Sequence, residues 1–263
     1  MRIKVKKSLG QNFLEDNKAL SKIIETGNIS KRDIILEIGP GTGNLTERIL
    51  NKNPKELYVV EKDKDLADML KRKFGRNINI INDDILKCYN DFRFDRPIKV
   101  FGNLPYNIST KILTSFIKIE NLNKFFEKFI FVFQKEVVDR IVAVENTQDY
   151  GRLSVITSWK MNKSKIINIP PNSFSPVPKV WSSLILLSPK SNFEKLKKDR
   201  NLEHITNIFF HQRRKMIKRP MKFLFKDYID ISNKLNIDLK LRPQNLSVRK
   251  YIEICKIYED LNI

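Results

Sequence analysis

The sequence predicts an α/β fold: a doubly wound, mostly parallel sheet that ends in an antiparallel strand pair, followed by a small all-helical C-terminal domain. Three observations predict it. Short apolar runs alternate with helical patterns over 34–133, the signature of repeated β-then-α units. The last two apolar runs, 166–169 and 180–187, are joined by a proline-rich loop with no room for a helix, so they have to run antiparallel. Beyond Pro189 the strand patterns stop and helical spacing remains.

In chain order, a basic arm (Arg2, Lys4, Lys6, Lys7) leads into Gln11-Asn12-Phe13-Leu14 and a helix over 17–26 with Leu20, Ile23 and Ile24 on one face. The first strand of the sheet, 34–38, runs into Gly39-Pro40-Gly41-Thr42-Gly43 and a helix carrying Leu45, Ile49 and Leu50. Strand 57–60 ends on Glu61 and is followed by a helix through Leu66, Met69 and Leu70. Strand 78–81 closes on Asp83-Asp84, and strand 98–101 enters a turn, 103–106, before a helix capped by Ser109 or Thr110. The fifth strand is 129–133 and a helix covers 152–161. A polar stretch after Pro189 marks the domain boundary, giving domains over 1–189 and 190–263. In the second, Ile205, Ile208 and Phe209 form a helical stripe that Arg219-Pro220 interrupts, and the last helix follows Ser247 with Cys255 on its core face.

At 263 residues and 41% hydrophobic composition the chain has enough apolar material for a sizeable core. Its formal charge of +20 favours a polyanionic partner, nucleic acid or an anionic membrane surface. Two distant cysteines, Cys88 and Cys255, exclude a disulfide framework, and His204 and His211 make no zinc-ligand spacing with them, so no metal is expected. No apolar run reaches a membrane span and the N-terminus lacks a signal-peptide core, which predicts a cytoplasmic protein with no membrane partner.

The turn Asn103-Leu104-Pro105-Tyr106 offers a side-chain amide, two backbone carbonyls held by Pro105 and an aromatic ring. That set suits gripping a flat base through its exocyclic amine; a plain strand-to-helix turn is the simpler alternative. Gly39, Gly41 and Gly43 follow the first strand in the spacing G-x-G-x-G. The dinucleotide fingerprint would need glycine where Asn44 stands, so the spacing favours S-adenosylmethionine over a nicotinamide cofactor. A parallel sheet finished by a reversed strand pair likewise outlines a methyltransferase sheet more than a dehydrogenase one. Glu61 can accept from both ribose hydroxyls, or be a surface acid at a strand end. Asp84 can bind the adenine amine, and Asp83 beside it can do the same. Within 213–222, Arg213, Arg214, Lys215, Lys218, Arg219 and Lys222 are basic and no residue is acidic, which reads as phosphate contact more than as a solvated helix face.

Gln11-Asn12-Phe13-Leu14, Glu37-Ile38-Gly39-Pro40-Gly41-Thr42-Gly43, Asn103-Leu104-Pro105-Tyr106-Asn107-Ile108-Ser109 and Phe174-Ser175-Pro176-Val177-Pro178-Lys179-Val180 stand in the order found in the ribosomal RNA adenine dimethyltransferases. The chain resembles that family over nearly its whole length. Tyr150-Gly151-Arg152-Leu153-Ser154-Val155 and Phe210-His211-Gln212-Arg213-Arg214-Lys215 resemble the small-subunit branch rather than the erythromycin-resistance enzymes. The resemblance implies a Rossmann-like methyltransferase domain over 1–189 and a helical RNA-binding domain over 190–263. It implies that Asn12, Leu14, Gly39, Glu61, Asp84 and Asn103 bind S-adenosylmethionine, with Gln11 and Gly41 of the same motifs. Asn103, Leu104, Pro105, Tyr106 and Phe174 would then hold the target adenine, Tyr106 and Phe174 stacking on its two faces. The implied partner is small-subunit ribosomal RNA in a pre-30S particle, met by a monomer. Trp181, where relatives commonly carry an acid, and Ser158, where many carry glutamine, depart from the pattern. A non-catalytic RNA-binding assembly factor of the same fold is the alternative, although the intact 103–106 turn argues against lost catalysis.

Overall fold

The computed structural model of the chain describes Lys6 and residues 9–261; Arg2, Lys4 and Lys7 of the basic arm lie outside the described residues. The chain forms two compact units. One comprises the chain up to Val138 together with Asn162–Pro189, the other Asp139–Met161 together with Lys190 onward. The boundary read from the polar stretch after Pro189 is therefore incomplete, because Asp139–Met161 belongs with the C-terminal helices. Its apolar residues satisfy helical spacing equally well in either unit, so the pattern alone cannot assign them.

The first unit holds β1 (Phe13–Leu14), α1 (Asn17–Gly27), β2 (Ile34–Ile38), α2 (Asn44–Leu50), β3 (Glu56–Val60), α3 (Lys64–Phe74), β4 (Asn79–Ile81), α4 (Ile85–Cys88), β5 (Ile98–Asn103), α5 (Ser109–Ile117), α6 (Leu122–Phe125), β6 (Phe126–Gln134), β7 (Met161–Ile169), β8 (Phe174–Ser175) and β9 (Ser182–Pro189). α7 (Lys135–Val142) follows β6. Seven strands form one sheet in the order β4-β3-β2-β5-β6-β9-β7, and β1 pairs with β8 in a two-stranded ribbon. The chain moves outward from β2 to β3 and β4, then crosses back to β5. The resulting switch point lies between β2 and β5.

Register decides what that switch point presents. Ile38 at the end of β2 pairs with Val60 at the end of β3 and with Gly102 in β5, and Val60 pairs with Ile81 at the end of β4. Four parallel strands thus come level at Ile38, Val60, Ile81 and Gly102, and the residues that follow these, Gly39, Glu61, Asn82 and Asn103, fall on one edge. β9 runs antiparallel to β6 from Phe129↔Leu187 to Gln134↔Ser182, and β7, the strand before the proline-rich loop, lies on its other side in the sheet. Behind the edge, β2 is buried throughout and Phe116, Phe126, Phe129 and Phe131 pack ring on ring.

Several elements depart from the sequence reading. β7 starts at Met161 instead of 166, its first half alternating polar and exposed residues that carry no apolar run. α5 has Ile108 at its N-cap with no side-chain cap. Ser109 is instead its first helical residue, buried and donating its hydroxyl to the Tyr106 carbonyl at 3.2 Å.

The second unit contains α8 (Arg152–Lys160), α9 (Asp199–His211), α10 (Lys218–Leu224), α11 (Tyr228–Lys234) and α12 (Val248–Asp260). Tyr150, Phe209, Phe210 and Tyr251 form an aromatic cluster, Phe210 stacked on Tyr251 and the other pairs edge to face, and the Tyr251 hydroxyl donates to the Pro243 carbonyl at 2.7 Å. The Lys160 ammonium is buried between the Trp159 and Phe193 rings and paired with Asp199. Ser247 caps α12 and Cys255 is fully buried. α9 stops at His211, earlier than the interruption expected at Pro220. Pro220 sits in the first turn of α10, where a missing N–H costs no helical bond.

Gly27, the last residue of α1, shows how tightly this core is closed. A Cβ there would stand 2.2 Å from Cζ of Phe101 on β5, a fully buried ring. Gly27→Ala is expected to cost about 1–3 kcal/mol through overpacking. Urea unfolding checks it: the midpoint falls while the slope stays the same.

Candidate active site

A cavity opens at the level strand ends, and its wall contains every residue expected to bind the cofactor: Gln11, Asn12, Leu14, Gly39, Gly41, Glu61, Asp84 and Asn103. Leu104, Pro105 and Tyr106 join it, whereas Phe174 does not. The glycine turn shapes one side. Gly39 has φ +67° and a Cβ there would meet nothing nearer than the Asn103 carbonyl at 3.8 Å, so its backbone faces open space. Gly41 has φ +57° and its missing Cβ leaves room for the Phe13 ring, which would otherwise lie 2.7 Å away.

Glu61 points at this turn. Its Oε2 accepts from the Gly41 N–H at 3.2 Å and its Oε1 from the Asp63 N–H at 2.8 Å, leaving each oxygen a further lone pair. Burial nevertheless raises its pKa, the backbone donors only partly opposing it. Asn82 donates to the Glu61 carbonyl at 2.8 Å and steadies the strand end.

Asp84 caps α4, accepting from the Leu86 N–H at 3.0 Å and from the Lys62 ammonium at 3.0 Å. Burial would raise its pKa, but Lys62 and the Leu86 N–H hold it below the ordinary carboxylate range. Asp83 also lines the cavity and is more exposed.

Lys6 and the chain over 9–16 are strapped along this cavity by side chains that flank it. Gln11 donates to Asp63 at 2.9 Å and accepts from the Lys6 N–H at 2.7 Å, so both ends of its amide are already engaged. Lys6 reaches Asp63 at 2.6 Å. Asn44, the residue standing where a dinucleotide fold needs glycine, donates to the Leu14 carbonyl at 2.9 Å. Asn103 donates through Nδ2 to the Asn12 carbonyl at 2.7 Å, an arrangement that leaves its Oδ1 as an acceptor.

In the turn itself, the Pro105 carbonyl accepts from the Ile108 and Ser109 N–H groups at 3.1 and 3.0 Å. It is therefore committed to starting α5. The Leu104 carbonyl takes part in no such bond among the described residues. The Tyr106 hydroxyl pairs with that of Ser182 at 2.6 Å, and burial raises its pKa.

Phe174 requires a correction. It was expected to stack on the target base beside Tyr106, yet it is 2 % exposed and packs in the core. The cause is the β1–β8 ribbon: Phe174 pairs with Leu14, and alternation along two-residue strands turns both side chains inward while Ser175 faces out. In this conformation Phe174 supports the strap rather than facing the cavity. Trp181, seven residues on, is half exposed, with its carbonyl accepting from the Lys135 N–H at 2.8 Å.

One cavity residue was given no role by the sequence. Glu37 is 1 % exposed, and neither its Oε2 nor the nearby Thr46 hydroxyl has a well-formed hydrogen bond. Burial, assisted by the Glu61 charge and opposed by Thr46, pushes its pKa up to about 8. Its place inside the glycine motif was visible; its protonation depends on burial and was not.

Of the basic run, Arg213 donates to the Gln148 and Tyr150 carbonyls and Arg219 to Gln212 at 3.0 Å. Arg214, Lys215, Lys218 and Lys222 are exposed. Among the described residues no group of three or more His, Cys, Asp or Glu is placed to hold a metal, and no helix is long and apolar enough to cross a membrane.

Two outcomes are expected. Phe174→Ala opens a core cavity and costs about 3–5 kcal/mol of stability, measured by chemical unfolding, whereas an exposed stacking ring would cost little. Because folding raises the Glu37 pKa from 4.5 to about 8, its stabilising share is full below the lower value and is lost as pH rises through the higher one. Glu37→Gln should remove that loss and raise the thermal midpoint of the ligand-free protein by roughly 2–8 °C in alkaline buffer, with little change in acid.

Comparison with known proteins identifies the family. The family model for ribosomal RNA adenine dimethylase matches residues 2–260. The ribosomal RNA small subunit methyltransferase A of Pelagibacter ubique is 54% identical, with 99% of each chain covered. The protein of that name from Francisella tularensis subsp. novicida is 41% identical over 95% of this chain and 96% of its own. The crystal structure of a dimethyladenosine transferase from Plasmodium falciparum has the same fold, with a TM-score of 0.80 at 24% identity over 95% of this chain and 98% of that one. The chain belongs to the ribosomal RNA adenine dimethylase family, enzymes that use S-adenosylmethionine to dimethylate adenine in ribosomal RNA.

Proposed function

We propose that the chain methylates the exocyclic amines of two adjacent adenosines near the 3′ end of small-subunit (16S) ribosomal RNA, producing dimethyladenosines during ribosome biogenesis. The substrate is the RNA within a pre-30S particle in the cytoplasm. The chain acts there as a monomer. The observation that carries the reading is the hydrogen bond from Asn103 Nδ2 to the Asn12 carbonyl, which leaves Asn103 Oδ1 as an acceptor in the wall of the cavity.

The cavity fits S-adenosylmethionine. Gly39 leaves an open cradle that a Cβ would intrude on, Glu37 Oε2 is an orphaned buried polar atom, and carboxylates stand after β3 and β4. When bound, the cofactor supplies an electrophilic methyl group on a sulfonium. Gly39 and Gly41 would hold its amino-acid end and Glu61 its ribose hydroxyls, while Asp84, with Asp83 beside it, would take the adenine amine. Asn12, Leu14 and the Gln11-tied strap would close over it.

The remaining work is alignment. The adenine amine is a poor nucleophile because its lone pair is delocalised into the ring. Asn103 Oδ1 and the Leu104 carbonyl would accept hydrogen bonds from its two N–H groups as the nitrogen becomes tetrahedral, stabilising positive charge that develops only on the way to the transition state. Tyr106, anchored through Ser182, stacks on the base, and Pro105 keeps the carbonyls rigid. Phe174 acts as a positioning residue by backing Leu14. Arg214, Lys215, Lys218, Arg219 and Lys222 contact phosphates, with Arg213 bracing the segment.

Radiolabelled transfer from S-adenosylmethionine to undermethylated small-subunit particles tests the proposal: label is expected on two adjacent 3′-terminal-region adenosines. Asn103→Ala should lower turnover at least about a hundredfold while cofactor binding stays measurable. Particle binding without incorporation by the unsubstituted chain would instead favour an assembly factor, and label on other bases would overturn the substrate.

A further inference from the structure

The helical unit has a cavity of its own, beside the C-terminal end of α9 and α10. Phe209 and Pro220 form apolar wall, Phe223 rises at the side, and Lys215 and Arg219 stand at the edge. Phe223 is 74 % exposed, more than any other large apolar side chain among the described residues. Arg219 is oriented by its bond to Gln212 at 3.0 Å, and four of its five N–H donors remain to meet another acceptor.

No acidic side chain lines this cavity, and six of the ten residues in 213–222 are cationic. Each simple occupant explains only part of this chemistry. A phosphate alone leaves the Phe223 ring and the Pro220 face uncovered. An apolar peptide leaves the cations unmatched, and a second copy of a chain carrying +20 would be repelled. A nucleotide satisfies both halves, since every base has a face that stacks on an aromatic ring and every linkage carries an anion.

We propose that this cavity receives one unpaired base of the RNA substrate, stacked on Phe223, with its flanking phosphates held by Lys215 and Arg219. The inference rests on ribosomal RNA being the substrate. It concerns a nucleotide that is gripped and not modified, because the cavity shares no residue with the one that holds Asn103. Its role is to set which stretch of RNA the enzyme holds by capturing an unstacked base.

The test uses the full chain and two probes of equal length: a single-stranded RNA oligonucleotide, and the same ribose-phosphate polymer without bases. Fluorescence anisotropy should show Phe223→Ala binding the base-bearing RNA about tenfold more weakly and the abasic polymer unchanged, with Phe223→Tyr restoring affinity. The loss should persist in a Tyr106→Ala background, which excludes the catalytic cavity as its source. Lys215→Ala with Arg219→Ala should weaken both probes and flatten the salt dependence. Equal loss on both probes, or no loss on either, overturns the proposal. So does a change in sedimentation in place of RNA affinity, which would assign the cavity to a protein contact. Base-dependent binding through Phe223 by a chain that transfers no methyl group would keep this site and remove the catalytic reading instead.

Discussion

The level ending of four parallel strands is the constraint on which the site depends. Ile38, Val60, Ile81 and Gly102 lie in one register, so Gly39, Glu61, Asn82 and Asn103 reach the same edge although up to 64 residues separate them in sequence. The paired backbone hydrogen bonds of the ladder and the core packed around β2 and β5 hold that register. The arrangement proposed for catalysis is thereby positioned by backbone hydrogen bonds and core packing. That is the condition under which amide and carbonyl dipoles stabilise developing charge without having to reorganise.

On that edge lies a segment with little structure of its own. β1 is two residues long, yet the stretch over 9–16 is tied by Asn103, Asn44, Asp63 and the Ser173 carbonyl. Asparagine at 44 and 103 spends its amide on the backbone of this strap, which is why a residue that breaks a dinucleotide fingerprint is useful here. Beneath it, Glu37 and Glu61 sit in one cavity with different partners. Glu61 accepts two backbone N–H bonds while Glu37 has an orphaned oxygen and a pKa near 8. Keeping one of two neighbouring carboxyls neutral avoids placing two charges side by side in a buried wall.

The helical unit solves a different problem. Its core holds a cluster of aromatic rings around Tyr251, and elsewhere in the unit Lys160 pairs with Asp199 beside the Trp159 and Phe193 rings. Around that rigid centre the basic run divides its labour. Arg213 ties down local carbonyls, Arg219 is aimed by Gln212, and Lys215, Lys218 and Lys222 are exposed. A run of cations that reads as uniform in sequence is therefore not uniform in role.

What the sequence determined by itself was local. β2, β3 and β5 were legible because strands buried on both faces read as unbroken apolar runs, and the glycine turn, Glu61 and the 103–106 turn were legible because each follows such a run. The polar first half of β7, the short α4 and α6 and the true start of α5 were not, since they carry no periodic apolar signal. Tertiary structure alone decided the rest. Phe13–Leu14 meets Phe174–Ser175 across some 160 residues, and that pairing buries Phe174 where a motif suggested an open stacking face. Asp139–Met161 joins the C-terminal helices, and Glu37 is raised toward neutrality, because both outcomes depend on what packs around a residue and not on which residues flank it.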